Sequence, residues 1–346
     1  MFDSHSVDLR VIDVSRQPTL LAAIQTLLSA NQLVMDRGVT LFVTAWVGDT
    51  LVGCAGLAAN VIKCVAIDDA WRGLNLSACL LGEVQNLALE KGHFHLFLYT
   101  RPCNGERFLQ CGFWPIAQTK NVLLMENTPR GISRYCAGLA ERRKPGVTIG
   151  SVVMNANPFT LGHRYLAEQA AKRCDWLHLF VVREEASFFP FRERLAMVRK
   201  GVSHLQNVTV HEGGEYVISR ATFPSYFLKA SGLVETAWCE LDLQIFRQHI
   251  APALGITHRF VGSEPFCPVT LQYNQAMRRC LSAPSDAALP PIQVEELTRK
   301  ARLNGPPISA SEVRRLVDKH QFAMIREMVP ETTWHHLQEN YFSATV

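Results

Sequence analysis

Between Leu41 and Phe113 the apolar residues come in runs too short for helices and closed by turn residues: LFVTAWV (41–47), LVGCAGLA (51–58), VIKCVAI (61–67) and HLFLYT (95–100). Such runs read as strands. The Gly48-Asp49 pair between the first two predicts a hairpin, so the first three form an antiparallel meander. DDAWRGLNLSACLLGEVQNLALEKG follows a different period, because Leu76, Leu80, Leu81, Val84, Leu87 and Ala88 recur at helical spacing. It predicts an amphipathic helix that stops at Gly92.

From residue 127 to residue 146 the pattern breaks: two prolines, three glycines and the charged run ERRK mark a boundary with a short helix in it. Beyond it, TIGSVVM (148–154), LHLFVV (177–182), VETAWCE (234–240) and HRFVG (258–262) read as strands separated by helical stretches. That alternation produces a parallel sheet with helices on both faces. The Ser/Ala/Pro-rich stretch 282–291 reads as a surface connection. The expected organisation is an α+β domain over 1–128, a linker over 129–146 and an α/β domain over 147–346, and the chain length of 346 residues suits two cores.

Composition narrows the function classes. At 48% apolar and 19% charged the chain is globular, and 35 Lys and Arg against 31 acids, spread along the sequence, predict neither nucleic-acid nor membrane binding. MFDSHSVDLR carries an acid and no apolar run, and no segment reaches the roughly 20 apolar residues of a membrane span, so a cytoplasmic protein without a secretory signal is expected. The ten cysteines contain no C-x-x-C pair and are expected to be mostly buried small apolar residues, neither zinc ligands nor disulfides.

The chemistry concentrates in two segments. SVVMNANPFTLGHRYLAEQAAKRC is a buried strand, a turn through Asn157, Pro158 and Phe159, and a helix whose apolar face is Leu166, Ala167, Ala170 and Ala171. A strand running into a helix start gathers backbone N–H groups and the positive end of the helix dipole, which is a site for a phosphate. Gly162 lets the anion approach the backbone, Thr160 offers a hydroxyl, and His163 in the first turn can donate to an oxygen that gains charge during reaction. PPISASEVRRLVDKH opens a second helix on which Ser311, Arg314 and Arg315 share one face and Val313, Leu316 and Val317 the other, with Ser309 at its start. Two such helix starts fit one triphosphate. Glu264, with Pro265 at the end of the HRFVG strand, is placed by the rule for open sheets to line the same crevice. Blander readings exist: Thr160 as a plain N-cap, His163 as a hydrogen-bonded core histidine, and Ser309 with Glu312 as a capping box.

Thr160-Leu161-Gly162-His163 with Ile308-Ser309-Ala310-Ser311-Glu312-Val313-Arg314 resembles the paired (H/T)xGH and ISxSxxR signatures of the nucleotidyltransferase superfamily. The resemblance implies a Rossmann-like domain that binds ATP with Mg2+ and releases pyrophosphate. It assigns catalysis to Thr160, His163 and Arg314, and ATP contacts to Asn157, Phe159, Thr160, Gly162, His163, Glu264, Ser309, Ser311 and Arg314. A lysine common in some members is missing from REEASFFPFRER, where Arg192 or Arg194 is the substitute on offer. No protein ligand for the metal is expected.

In the first domain, Trp71-Arg72-Gly73-Leu74-Asn75-Leu76 resembles the pyrophosphate loop of GNAT-type acetyltransferases, and NGERFLQCGF (104–113) their later segment. This implies a thiol-cofactor contact at Arg72, Gly73 and Asn75, with Asn75 standing where a glycine is usual and tolerating positive φ. His93, His95 and Cys103 lie near this cleft in sequence, but none is marked out as a base. The domain order, together with ATFPSYFL (221–228), RFVGSEP (259–265) and VTLQYNQAM (269–277), resembles the citrate lyase ligase family. That family's reaction is an acid–thiol ligation. Acetate and ATP give acetyl adenylate and pyrophosphate, and the acetyl group then passes to the thiol of the phosphoribosyl-dephospho-CoA group on the citrate lyase acyl-carrier subunit, releasing AMP. Two other classes compete: a different nucleotidyltransferase making a nucleotide cofactor or an activated pantetheine, and a nucleotide-binding regulator without turnover. Intact Thr160, Gly162, His163 and Arg314 argue against the regulator.

Overall fold

The computed structural model describes residues 7–36, 38–72, 75–185, 187–218, 223, 226–228, 231–263, 268–283, 289–298 and 308–342, and the side chains of 231–233, 235 and 268–270 are not among them. Contacts divide the chain into two units: Met1–Arg134 with Pro224–Ala237, and Tyr135–Phe223 with Trp238–Val346.

The first unit opens with strand β1 (Asp8–Asp13) and helix α1 (Pro18–Ala30). The meander β2 (Leu41–Val47), β3 (Thr50–Ala58) and β4 (Val61–Ile67) follows, with Gly48 at φ +56° in the first turn. Helix α2 (Leu76–Glu90) buries Leu76, Leu80, Leu81, Val84, Leu87 and Ala88 and ends before Gly92 at φ +82°. These elements are as the pattern predicts. Strand β5 (Phe97–Thr100), helix α3 (Gly105–Gln110), strands β6 (Trp114–Gln118) and β7 (Leu123–Glu126) and the start of helix α4 (Gly131–Ala140), whose residues from Tyr135 belong to the second unit, complete the run. The sheet order is β1-β2-β3-β4-β5-β7-β6. Only β4 and β5 run parallel, and they pair at just two positions, Val61↔Phe97 and Ile62↔Leu98, so the strands part beyond Ile62 and Leu98. This is a mixed-sheet α+β fold.

In the second unit, β8 (Ile149–Met154), β9 (Trp176–Val181), β10 (Val208–Glu212), β11 (His258–Gly262) and β12 (Gln293–Leu297) form a parallel sheet of order β10-β9-β8-β11-β12. Its helices are α5 (Leu161–Ala171), α6 (Phe191–Gly201), α7 (Ser231–Ile245, counted here from Trp238 onward), α8 (Ala251–Leu254), α9 (Pro268–Ser282), α10 (Ala310–Asp318) and α11 (Glu331–Leu337). Strand order reverses at β8, whose neighbours β9 and β11 lead away in opposite directions. The crevice outside the carboxyl ends of these strands is where Rossmann-like sheets bind nucleotides. One face of the sheet is closed by α5, α6, α10 and α11 through Val152, Leu177, Leu179, Ala167, Val198 and Leu316.

The stretch 234–240 is not a strand but part of α7. Its β-forming residues mimic a strand, yet Ala237, Leu241 and Ile245 are buried at helical spacing, which decides the matter. The missing strands are the polar edge segments VTVHE and QVEEL, which lack the apolar run that would mark them. Of the nine described cysteines, Cys54, Cys64 and Cys239 are buried, Cys79 and Cys103 are exposed and the rest are half-buried, so the expectation of mostly buried thiols fails. None is in a disulfide. Among the described residues no helix is long and apolar enough to cross a membrane.

His178 on β9 and His211 on β10 are buried and touch, Nδ1 of the first lying 2.9 Å from Nε2 of the second. Burial pushes their pKa values down to about 4 and about 3, with Lys144 and Arg142 adding to the effect. An unfolded histidine titrates near about 6.5, so between that pH and about 4 the unfolded chain binds the extra protons. Stability from this pair is therefore present above about pH 6.5 and is lost as pH falls through the window. The melting temperature should drop more steeply from pH 7.5 to pH 5 in the native chain than in a His178→Gln/His211→Gln double variant; equal drops would refute the assignment.

Candidate active site

Strand β8 delivers the chain into a turn with a cis Asn157–Pro158 bond, and α5 starts at Thr160. Three contacts fix the turn. The Asn157 side-chain oxygen accepts from the Phe189 N–H at 3.0 Å, the Asn157 carbonyl accepts from Arg314 Nη1, and buried Phe159 lies so close to Gly201 that a Cβ there would sit 2.3 Å from its ring. Only glycine at residue 201 admits that ring.

Thr160 and His163 form a reciprocal cap: Thr160 Oγ1 accepts from the His163 N–H at 3.4 Å, and His163 Nδ1 accepts from the Thr160 N–H at 3.1 Å. The N-cap reading is thus correct as far as it goes. It also has a chemical consequence. A backbone N–H can only donate, so Nδ1 accepts here, takes the Thr160 hydroxyl hydrogen as well at 2.9 Å, and leaves the ring hydrogen on Nε2. The Phe159 ring stacks on the imidazole at 5.9 Å and 18°.

The helix start narrows the anion site. The Leu161 N–H is given to the Met328 carbonyl at 2.9 Å and that of His163 to Thr160, while the Gly162 N–H makes no hydrogen bond among the described residues. A Cβ at Gly162 would meet nothing closer than Thr160 Oγ1 at 3.5 Å and the Ile308 carbonyl at 3.6 Å. Packing of the chain on itself therefore does not demand glycine here, whereas a ligand held by the Gly162 amide would. Gly162→Ala should leave the melting temperature unchanged or slightly raised, since alanine is the better helix residue, and should raise the KM for ATP about tenfold. An unchanged KM would remove Gly162 from the site.

The same Ile308 leads into α10, so the two sequence motifs meet at the two helix starts. Ser309 occupies the N-cap of α10 without capping it; its hydroxyl lies 2.6 Å from that of Ser311. Glu312 instead pairs with Arg315, at 2.7 Å for both contacts. The capping box that Ser309 and Glu312 could have made is not formed. Arg314 is half-buried, and burial lowers its pKa from the ordinary arginine range. Residues 264 and 265 lie outside the described residues, so Glu264 is not placed.

Arg194 is not a phosphate ligand. Fully buried, it donates to the carbonyls of Phe189 (3.0 Å), Asn155 (2.6 Å), Val182 (3.0 Å) and Glu184 (2.7 Å) and to Asn155 Oδ1 (2.7 Å). It ties the loops after β8 and β9 together. Its position on the apolar stripe of α6, beside Phe191, Leu195 and Val198, is the sequence sign of an inward side chain. Arg192 is exposed, in a groove with Arg199, Lys200 and Glu212. Met328, Gly201 and Phe189 support the site through backbone or packing and carry no motif of their own.

In the first unit the parting of β4 and β5 opens a cleft of about 820 Å³, with Arg72, Asn75, Arg101, Cys103, Asn104 and Arg107 along it. Asn75 adopts φ +58° and ψ 12° at the start of α2, as an asparagine in place of glycine must. Arg72 donates to Asn31 Oδ1 at 2.9 Å and pairs with Asp69 at 2.6 Å. Gly73 lies outside the described residues. His95 is 2.7 Å from Glu126, whose other oxygen accepts the Ile132 N–H at 3.0 Å at the head of α4, a structural pair that does not line the cleft.

Residues 149–337 match the family described as the citrate lyase ligase C-terminal domain. A [citrate (pro-3S)-lyase] ligase of Klebsiella pneumoniae is 50% identical over 312 residues, covering 90% of each chain. Among solved structures, an acyl-CoA N-acyltransferase from Pseudomonas aeruginosa is 16% identical and covers 36% of this chain and 100% of its own, with a TM-score of 0.31. Thermotoga maritima TmcAL bound with alpha-thio ATP is 16% identical and covers 56% of both chains, with a TM-score of 0.34. With half its residues shared over nine-tenths of its length, and both motifs lying within the region expected to carry them, the chain belongs to the citrate lyase ligase family.

Proposed function

We propose that the protein activates acetate with ATP in its second unit and acetylates the thiol of the citrate lyase acyl-carrier subunit. The observation that carries this reading is the meeting of the two helix starts. Gly162 offers an uncommitted amide, His163 a fixed imidazole and Arg314 a guanidinium anchored on the Asn157 carbonyl, all beside the sheet's switch point.

An acetate oxygen attacks the α-phosphorus in line; that O–P bond forms as the bond to the bridging oxygen of pyrophosphate breaks. Nε2–H of His163 and the Gly162 N–H donate to phosphoryl oxygens, and the Thr160 hydroxyl, 2.9 Å from Nδ1, donates to the ring and holds it in place. Arg314, Ser309 and Ser311 hold the departing β and γ phosphates, with Asn157 and Phe159 forming the floor. This is positioning and charge stabilisation, which is what phosphoryl transfer asks of a protein. Mg2+ would enter with the nucleotide and would neutralise phosphate charge there, with no residue of this chain assigned to hold it. In the second step the carrier thiolate attacks the acetyl carbon, AMP leaves, and the thiol proton passes to solvent. The prosthetic chain is read as lying in the first unit's cleft, its phosphates near Arg72 and the Asn75 turn.

The test is pyrophosphate release from ATP and Mg2+, with acetate and deacetylated acyl carrier added separately and together. Release that needs acetate, with AMP and acetylated carrier formed in equal amounts, supports the reading. Release indifferent to acetate would favour another nucleotidyltransferase, and none at all a binding protein.

A further inference from the structure

The cleft of the first unit has a wall that its own contiguous sequence does not supply. Tyr226 and Phe227, which follow β10 in the chain, are buried among its strands and line the cleft. The Tyr226 hydroxyl donates to the Tyr99 carbonyl on β5 at 3.1 Å, and the Tyr226 carbonyl accepts from the Val34 N–H at 2.8 Å. The Phe227 carbonyl accepts from Arg101 Nη2 at 3.4 Å. Cys64 of β4, at φ +54°, presents its backbone to the same hydroxyl.

These contacts locate the tyrosine. Strands β4 and β5 part after Ile62 and Leu98, so the deep end of the opening lies at Cys64 and Tyr99, and the Tyr226 hydroxyl bridges that point. The polar side chains Arg72, Asn75, Asn104 and Arg107 line the cleft as well. Burial raises the Tyr226 pKa far above the ordinary tyrosine range, so the phenol stays protonated. It is a donor and a wall, not a base.

We propose that Tyr226 is the end-stop of this cleft: it limits how far a thiol-terminated chain can enter, and so makes the site selective for a free thiol or a short acyl thioester over a longer one. The inference rests on the reading that the cleft takes a pantetheine-type chain. Tyr226 is a positioning residue here, and chain-length selectivity is the property that a merely structural role would not move.

The experiment is calorimetric binding of CoA, acetyl-CoA and hexanoyl-CoA to the full chain. The native protein should bind the first two alike and hexanoyl-CoA about tenfold or more weakly, the scale on which a filled apolar pocket rejects extra methylenes. Tyr226→Phe keeps the ring and should keep the discrimination. Tyr226→Ala should reduce it to about threefold or less. A cooperative thermal melt checks each variant, and Tyr226→Leu takes the place of the alanine variant if that chain does not fold. Equal binding of CoA and hexanoyl-CoA by the native protein, or full discrimination by a folded Tyr226→Ala or Tyr226→Leu variant, overturns the end-stop while leaving the cleft's ligand class standing. No binding of any of the three overturns the ligand class, and the end-stop with it.

Discussion

His163→Ala should slow acetate-dependent adenylation by about 100-fold or more, the usual cost of removing one preorganised donor to a developing charge. That is about 2.7 kcal/mol at the barrier. The expectation rests on how little the ring has to rearrange: the Thr160 N–H fixes its tautomer and Phe159 its plane. Because Thr160 still caps α5 in the variant, the melting temperature should move by only a few degrees. The KM for ATP should change less than kcat, since the bond strengthens as charge builds on the phosphoryl oxygens. Acetate-dependent pyrophosphate exchange measures both constants, and a near-native kcat would exclude His163 from the reaction.

Arg194→Met should act through stability. The variant withdraws the donors from five acceptors on the two loops after β8 and β9. A buried carbonyl left without a partner costs about 1–3 kcal/mol, and relaxation recovers part of the sum. A loss on the order of 3–5 kcal/mol is expected, seen as a fall in melting temperature of about 10 °C or more. The measurement also separates the two roles open to this arginine from sequence. A phosphate ligand would raise the KM for ATP and spare the melt; a structural hub lowers the melt first.

The site was more legible in the sequence than the sheet around it. Thr160-Leu161-Gly162-His163 and Ser309 to Arg314 declare themselves because helix starts have their own chemistry and because glycine and histidine are poor choices there unless something binds. The elements β2, β3, β4, α2, β8, β9 and β11 show in the apolar pattern because each buries a face or is buried on both. Strands β10 and β12 do not, being polar edges whose pairing is supplied by neighbours far away in sequence. Segment 234–240 misleads because Val234, Thr236, Trp238 and Cys239 within seven residues satisfy either period, and only the continuation to Leu241 and Ile245 separates them. Nor does local sequence say that Arg194 points inward to carbonyls or that Tyr226 joins strands more than 100 residues earlier, since both depend on partners that only the fold brings near.

The return of Pro224–Ala237 to the first unit bears on how the molecule is made. Arg134, where that unit's first stretch ends, leaves the ribosome about 100 residues before Ala237, an interval of roughly 5–20 s at ordinary rates of synthesis. For that time the nascent sheet has its seven strands but lacks a wall: the Tyr99 carbonyl and the Val34 amide face water, and the apolar floor between β4 and β5 is open to other chains. The amino-terminal half is thus born unfinished, and its last piece arrives only after the whole of the other unit's first stretch, Tyr135–Phe223 with β8, β9 and β10, has emerged.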